Sequence, residues 1–127
     1  MKLLFKELEG KILTKIDGTI GGSEMIFETN TGEVYKLYHE QDCCETVDIN
    51  DIIGDLDDII GSPILMAEEV SNNIDPEGYK PLYPNDYRDS FTWTFYKLAT
   101  IRGYVTIRWY GTSNGYYSES VDFVRIQ

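Results

Sequence analysis

The sequence predicts an α+β fold, in which a strongly bent, mostly antiparallel sheet of about seven strands carries one short amphipathic helix. Apolar and polar residues alternate with the period of a strand in the first third of the chain and again after residue 90. Between these regions, residues 50–61 place their apolar side chains on one face of a helix. The length of 127 residues predicts a single domain over residues 1–127.

The first three strands are predicted within residues 11–39. The stretch "KILTKI" alternates, and "EMIFET" and "EVYKLYH" flank "NTG", whose Asn30 and Gly32 suit a tight turn. The glycine-rich "DGTIGGS" then connects the first two strands. These signals predict an antiparallel meander.

The predicted helix is "NDIIGDLDDIIG", which Asn50 or Asp51 caps and Gly61 ends. Its apolar face consists of Ile52, Ile53, Leu56, Ile59 and Ile60. Gly54 inside it costs about 1 kcal/mol of helix propensity, so the helix is expected to be short. The stretch "SPILMAEEVS" is predicted to follow it as a strand.

Residues 72–89 are predicted to form a long irregular loop, because three of the four prolines lie there without periodicity. Tyr79, Tyr83 and Tyr87 recur every four residues in this loop. Since the intervening prolines oppose a helix, we expect these tyrosines to pack the loop against the sheet.

Residues 90–127 are predicted to form three long antiparallel strands, and the turn between the first two is placed at Arg102 and Gly103. This turn pairs Lys97 with Arg108. One face of the hairpin is the expected core face and holds Tyr96, Leu98, Val105, Ile107 and Trp109. The opposite face holds Phe91, Trp93, Phe95, Lys97, Tyr104, Arg108 and Tyr110.

The second face predicts a site for a small anionic, nucleotide-like ligand. Two cations placed opposite each other on a sheet are unfavourable unless an anion lies between them. The site would consist of Trp93, Phe95, Lys97, Arg108 and Tyr110. In the alternative, the last strand places Glu119 opposite Arg108, which makes an ordinary cross-strand ion pair. An exposed aromatic face is also typical of a homodimer interface.

The stretch "HEQDCCETVDIND" contains the residue types of a metal site, namely His39, Cys43 and Cys44. The spacing is atypical, because adjacent cysteines on a strand point to opposite faces. One cysteine can instead face the core as a small hydrophobic residue. A vicinal disulfide would require an unusual peptide link. No cofactor is predicted.

The net charge of −11 opposes direct binding of nucleic acid. Residues 40–89 hold 14 acids and two bases, so the acidity belongs to the middle of the chain. The sequence therefore predicts a non-enzymatic module that binds a basic protein surface, with simple solubility as the alternative. The expected partner-binding acids are Asp51, Asp55, Asp57, Asp58, Glu68 and Glu69.

No apolar run approaches the roughly 20 residues of a membrane span. Lys6, Glu7 and Glu9 also interrupt the start before an apolar signal core develops. A cytoplasmic protein without membrane contact is expected.

The stretches "YHEQDCCETVDINDIIGDLDDIIGSPILMAEE" and "SFTWTFYKLATIRGYVTIRWYGTSNGYYSESVDF" resemble a family of small uncharacterised proteins from bacteriophages and from bacteria that carry prophages. The Asp-Cys-Cys-Glu stretch of that family corresponds to residues 42–45. The resemblance implies a phage or prophage setting inside a bacterial host cell, and it implies no catalytic residue.

Overall fold

The computed structural model describes residues 2–79 and 88–127, which form two four-stranded antiparallel sheets. The strands are β1 (Leu13–Asp17), β2 (Glu24–Thr29), β3 (Val34–Tyr38), β4 (Thr46–Ile53), β5 (Met66–Asn72), β6 (Ser90–Thr100), β7 (Gly103–Ser113) and β8 (Asp122–Arg125). The first sheet has the order β1-β2-β3-β8, and the second has the order β4-β7-β6-β5. The predicted α+β fold with one bent sheet of about seven strands is therefore wrong.

The N-terminal meander is confirmed, because β1 pairs with β2 and β2 pairs with β3. Side chains alternate between the buried and the more exposed face along both strands. The buried ones are Met25 and Phe27 on β2 and Tyr35 and Leu37 on β3. Gly32 adopts a φ of 92° in the turn between β2 and β3, a value that glycine tolerates without steric cost.

The predicted helix over residues 50–61 is also wrong. Its first half is the end of β4, and its second half is a single turn of 3₁₀ helix, Leu56–Ile59. The break lies at Gly54, which has a φ of 107° and lies so close to Tyr104 that a Cβ would stand 2.5 Å from the Tyr104 carbonyl oxygen. Asp55 then caps the turn by accepting a hydrogen bond from the Asp57 N–H at 3.0 Å.

The C-terminal hairpin forms, but its turn residues are Ile101 and Arg102, because Thr100 pairs with Gly103. Thr100 fixes this position: its hydroxyl donates to the Asp58 carbonyl oxygen and accepts from the Arg102 N–H. Relative to the prediction, the pairing of the two strands is shifted by two residues. Because side chains alternate between the faces of a sheet with a period of two, each one stays on its predicted face. The whole predicted core face is buried, as expected.

The last strand does not extend this hairpin. β8 instead pairs with β3 in the first sheet, and β4 takes the place beside β7. Both sheets bury their inner side chains in one shared core. Phe5, on the N-terminal 3₁₀ helix Phe5–Leu8, lies between the sheets, with ring centroids 4.8 Å from Tyr96 and 5.3 Å from Phe123.

Candidate functional site

The six acids predicted to bind a partner do not form one patch. Asp51 lies on β4 and Glu68 and Glu69 lie on β5, and these two strands are the opposite edges of the second sheet. The remaining three acids, Asp55, Asp57 and Asp58, are together, because all lie on or beside the second 3₁₀ helix. This helix packs against β6 and β7 near their turn. We call these three residues the acidic end.

Charge compensation differs between the two sheets. On the first sheet Glu24 lies 3.3 Å from the Lys36 ammonium, and Glu28 lies 3.8 Å from that of Lys15. Among the residues that the structure describes, no cationic group lies within 4.0 Å of a carboxylate of the acidic end, nor of Glu68 or Glu69. The acidic end and the two acids of β5 therefore lack an ion-pair partner among the described residues, whereas Asp51 on β4 lies 3.8 Å from Arg108.

The aromatic face of the second sheet is covered by part of its own chain. Trp93 is buried, and its ring centroid lies 4.2 Å from that of Tyr110 and 5.0 Å from that of Tyr79. Tyr79 therefore packs the loop against the sheet, as predicted; Tyr83 and Tyr87 lie outside the described residues. Among the described residues, Asp75 and Arg88 complete this cover through hydrogen bonds to Trp93 and Tyr110.

Arg88 and Asp75 form a two-pronged ion pair with distances of 3.0 and 2.8 Å. The same arginine donates to the Tyr110 hydroxyl at 2.6 Å, and Asp75 also accepts from the Trp93 indole N–H at 3.0 Å. The hydrogen bond from Arg88, assisted by that from Trp93, lowers the pKa of Asp75. Sequence reasoning missed both residues, because nothing in an irregular loop indicates which side chains return to the sheet.

The predicted pairing of Lys97 with Arg108 does not form. Arg108 lies opposite Phe95, and Lys97 lies between Thr106 and Glu68 on the neighbouring strands. The Arg108 guanidinium donates to Asn50 Oδ1 at 2.9 and 2.7 Å and lies 3.8 Å from Asp51. Its partners therefore come from β4, and not from Glu119 as the alternative required. A small anionic ligand would compete with these partners, and its binding stays a prediction.

The two cysteines are joined to each other as a vicinal disulfide, and both are exposed. Neither therefore packs in the core, and in this state neither offers a thiolate to a metal. Across residues 2–79 and 88–127, no group of three His, Cys, Asp or Glu residues has an arrangement that could hold a metal ion. A metal site of His39, Cys43 and Cys44 stays a prediction for the reduced protein.

His39 lies where the chain crosses between the sheets. Residues 39–45 lead from β3 to β4, and residues 114–121 lead from β7 back to β8. The two crossings run side by side, since β3 pairs with β8 and β4 pairs with β7. His39 links them, with its Nδ1 2.6 Å from the Ser120 carbonyl oxygen. This carbonyl can only accept, so Nδ1 carries a proton.

Glu45 organises the first crossing. Its Oε1 accepts hydrogen bonds from the side-chain amide of Gln41 at 2.6 Å and from the Cys43 N–H at 2.9 Å. Its Oε2 lies 3.3 Å from His39 Nε2, and both side chains are almost fully buried. Burial by itself raises the pKa of Glu45, but the N–H donors of Cys43 and Asp42, together with His39, lower it overall.

A cleft of about 340 Å³ lies beside this pair. It is lined by Lys2, His39, Glu40, Gln41, Asp42, Glu45, Ser118, Ser120 and Asp122. An adjoining cleft of about 450 Å³ shares Ser118 and Ser120 and adds Glu69 and Glu119. We call the two together the crossing groove. Neither His39 ring nitrogen is available as a general base, because Nδ1 is bonded to Ser120 and Nε2 faces Glu45 away from solvent.

The comparisons with known proteins give a family without a function. The family model described as "Domain of unknown function (DUF7448)" matches residues 6–123. The chain belongs to this family. No curated protein and no solved structure matches it. Within the described part of this DUF7448 chain, no helix is both long enough and apolar enough to cross a membrane.

Sequence reasoning recognised only half of the crossing groove in this DUF7448 chain. His39 and residues 42–45 drew attention because of their density of polar ligand types. The second half, Ser118 to Asp122, carried no signal, because its position depends on β8 pairing with β3. For the same reason the sequence placed the buried Glu119 opposite Arg108, and it gave no indication of the buried Asp122.

Proposed function

We propose that this DUF7448 domain is a non-enzymatic binding module whose acidic end attaches to a basic surface of a partner protein. The observation that carries this proposal is the lack of a described cation within 4.0 Å of Asp55, Asp57 and Asp58. Three neighbouring carboxylates repel one another, and a basic partner relieves that repulsion.

The wider charge distribution supports the same reading. The segment 40–89 that contains the acidic end has 14 acids and two bases, whereas the rest of the chain is almost balanced. Such a one-sided field accelerates the encounter with an oppositely charged surface. It also repels nucleic acid, which leaves a basic protein as the partner class.

The biological setting forms part of the proposal. The resemblance to phage and prophage proteins suggests a phage accessory protein whose partner is a protein of the bacterial host. Such an accessory protein acts by binding its partner alone, so it needs no catalytic group.

The experiment is capture at two salt concentrations. The immobilised protein is incubated with a host-cell lysate at about 50 mM and at about 500 mM salt, a range over which the screening length shortens several-fold. Captured proteins are identified by mass spectrometry. The proposal expects basic proteins that are retained at low salt and lost at high salt. Capture that is equal at both concentrations contradicts an electrostatic interface.

A further inference from the structure

We propose that the free edge of β5 binds an extended segment of another protein as an added strand, and that this segment carries basic and apolar residues side by side. This edge is separate from the acidic end, and strand addition there does not depend on the proposed function. Three observations support it: β5 lacks the protection that the other sheet edges carry, its outward backbone groups are exposed, and a cleft with an apolar rim lies beside the same edge.

The other three sheet edges are protected by the chain itself. Beside β8, the Leu3 N–H donates to the Phe123 carbonyl oxygen at 2.7 Å. Beside β4, Ile49 exchanges backbone hydrogen bonds with residues 21–22, and the register of β4 shifts after Ile49. The register of β1 also shifts, and this strand contains the exposed Lys15. Covering segments, irregular registers such as bulges, and edge lysines all oppose the addition of a strand.

β5 carries none of these features over its second half. Its register with β6 is regular from Met66 to Asn72, and neither lysine nor proline occurs in this stretch. All of residues 68–72 are exposed. Within the described part of the chain, the only group that bonds the outer backbone edge is the Glu9 carboxylate, which accepts from the Ala67 N–H at 3.3 Å. A partner strand can therefore pair with residues 68–72 without displacing a described hydrogen bond.

The Ala67 hydrogen bond also shows which backbone groups point outward. In an antiparallel pair, successive residues direct their N–H and carbonyl groups alternately towards and away from the partner strand. Because the Ala67 N–H bonds to Glu9 rather than to β6, the backbone groups of Glu69 and Ser71 also point away from β6. Each of these residues offers one donor and one acceptor, and such main-chain hydrogen bonds supply the affinity of strand addition.

A cleft of about 290 Å³ lies beside this edge. It is lined by Leu4, Phe5 and Lys6 and by residues 67–70. Leu4 and Val70 are 74% and 40% exposed, so both present apolar surface at the cleft. An apolar side chain of an added strand would bury against them, which favours binding through the hydrophobic effect.

The charges on β5 indicate the kind of partner. Among the described residues, no cationic group lies within 4.0 Å of the Glu68 or Glu69 carboxylate. Lys97 lies opposite Glu68 without forming an ion pair, and Glu69 accepts a hydrogen bond from the Tyr96 hydroxyl. An added strand with lysine or arginine opposite these acids gains a favourable cross-strand pair, whereas a second copy of this chain would bring like charges together. The partner is therefore a basic segment of another protein.

The test is an NMR titration of the ¹⁵N-labelled full chain with the peptide acetyl-Thr-Val-Lys-Lys-Val-Thr amide. When this peptide is extended, each of its faces presents one valine and one lysine, so it can add in either direction. The backbone amide signals of Glu69 and Ser71 are expected to shift the most, with saturation at millimolar peptide. The absence of shifts in the β5 amides at that concentration overturns the proposal.

A methylated form of the same peptide separates main-chain pairing from simple charge attraction. Methyl groups on the backbone nitrogens of its valines and lysines remove the N–H donors but keep the charges and the side chains. This peptide is expected to bind at least about tenfold more weakly, because it cannot donate main-chain hydrogen bonds to β5. Equal binding of the two peptides overturns strand addition.

Ser71→Pro tests the same edge from the side of the protein. Proline removes the outward N–H of residue 71 but no hydrogen bond to β6, and edge strands tolerate proline at such positions. This variant is expected to bind the unmethylated peptide at least about tenfold more weakly. Ser71→Ala is the matched control, because it keeps the N–H, and its affinity is expected to be unchanged. Equal affinities of the two variants overturn the proposal.

Glu68→Lys provides a second variant if Ser71→Pro does not fold. Because Glu68 is exposed, reversing its charge is expected to preserve the fold and to weaken peptide binding by about tenfold. The control is Asp17→Lys, which reverses an exposed charge on β1 and is expected to leave affinity nearly unchanged. Equal weakening by both variants shows a non-specific field and overturns the site.

Sedimentation velocity of the unmodified chain distinguishes a second copy from a different partner. A monomer is expected, because it leaves the edge of β5 open to another protein. A dimer that Ser71→Pro dissociates would make a second copy the occupant of this edge and would overturn the proposed basic partner.

Discussion

Glu33, beside the turn between β2 and β3, shows how local contacts set the charge state of a single residue. Its carboxylate accepts hydrogen bonds from the Thr31 hydroxyl and from the Lys11 ammonium. The Thr31 contact is the largest cause, followed by that of Lys11, and together they lower the pKa of Glu33 to about 2. The ionised form is therefore favoured in the folded state.

This residue predicts a pH dependence of stability. Because the folded-state pKa lies below the ordinary value of 4.5, the stabilisation from Glu33 is complete above pH 4.5 and is lost as the pH falls towards 2. Glu33→Gln is expected to lower the free energy of unfolding at pH 7 and to reduce its decline over that range. Urea unfolding of both proteins at several pH values measures this effect. Parallel pH profiles contradict the assignment, and Thr31→Val is expected to give a smaller change in the same direction.

At the scale of single elements, the failure of the predicted helix has a specific cause. The doublets Ile52–Ile53 and Ile59–Ile60 fit one face of a helix, but they belong to a strand and a turn that meet at Gly54. The glycine that weakened the helix prediction is the residue that the fold requires there. A single sequence gave no sign that Tyr104 would lie against it.

Gly54→Ala tests this explanation. A residue with a side chain at positive φ costs about 1–3 kcal/mol, and the new Cβ would also overlap the Tyr104 carbonyl oxygen, only 2.5 Å away. Gly61→Ala is the matched control, because its φ of 87° is similar but nothing lies within 4 Å of the added Cβ. Thermal unfolding is expected to show the larger loss for Gly54→Ala. Equal losses would show that the contact with Tyr104 contributes nothing.

The strands themselves were largely predictable, whereas their partners were not. Alternation and turn residues are local signals, and they located β2, β3, β6 and β7 within a few residues. The placement of β8 beside β3 depends on contacts between residues 84 to 90 positions apart, which no local pattern encodes. The crossing groove depends on the same pairing, so only its first half was visible in the sequence.

For the molecule as a whole, the shared core predicts that both sheets unfold together. Phe5 contacts Phe27 and Phe123 of the first sheet and Tyr96 of the second. Phe5→Ala is expected to cost about 3–5 kcal/mol. Trp93 and Trp109 both lie on the second sheet, and Trp109 is part of the shared core, so their fluorescence follows the second sheet and its side of the core, while circular dichroism reports both sheets. The unfolding transitions followed by fluorescence and by circular dichroism are expected to coincide, and Phe5→Ala is expected to shift both by the same amount. A fluorescence transition that Phe5→Ala leaves unchanged contradicts a shared core.

The charge distribution is the other property of the whole molecule. Counting acids along the sequence located the excess in residues 40–89. The structure adds that most carboxylates of the first sheet are paired with lysines, whereas those of the second sheet are mostly without an ion-pair partner among the described residues. It also separates the six predicted acids, of which only the acidic end forms a group. That division depends on where the lysines fold, which a count along the chain does not show.

The most direct test of partner binding by the acidic end compares two double variants of equal charge. Asp55→Asn with Asp57→Asn removes two carboxylates of the acidic end, while asparagine still caps the turn. Glu24→Gln with Glu28→Gln removes two carboxylates that are paired with lysines on the first sheet. The affinity of each variant for the captured partner is measured by surface plasmon resonance. The first variant is expected to bind at least about tenfold more weakly, a loss of ~1.4 kcal/mol, and the second is expected to bind like the unmodified protein. Equal affinities of the two variants would contradict a role for the acidic end.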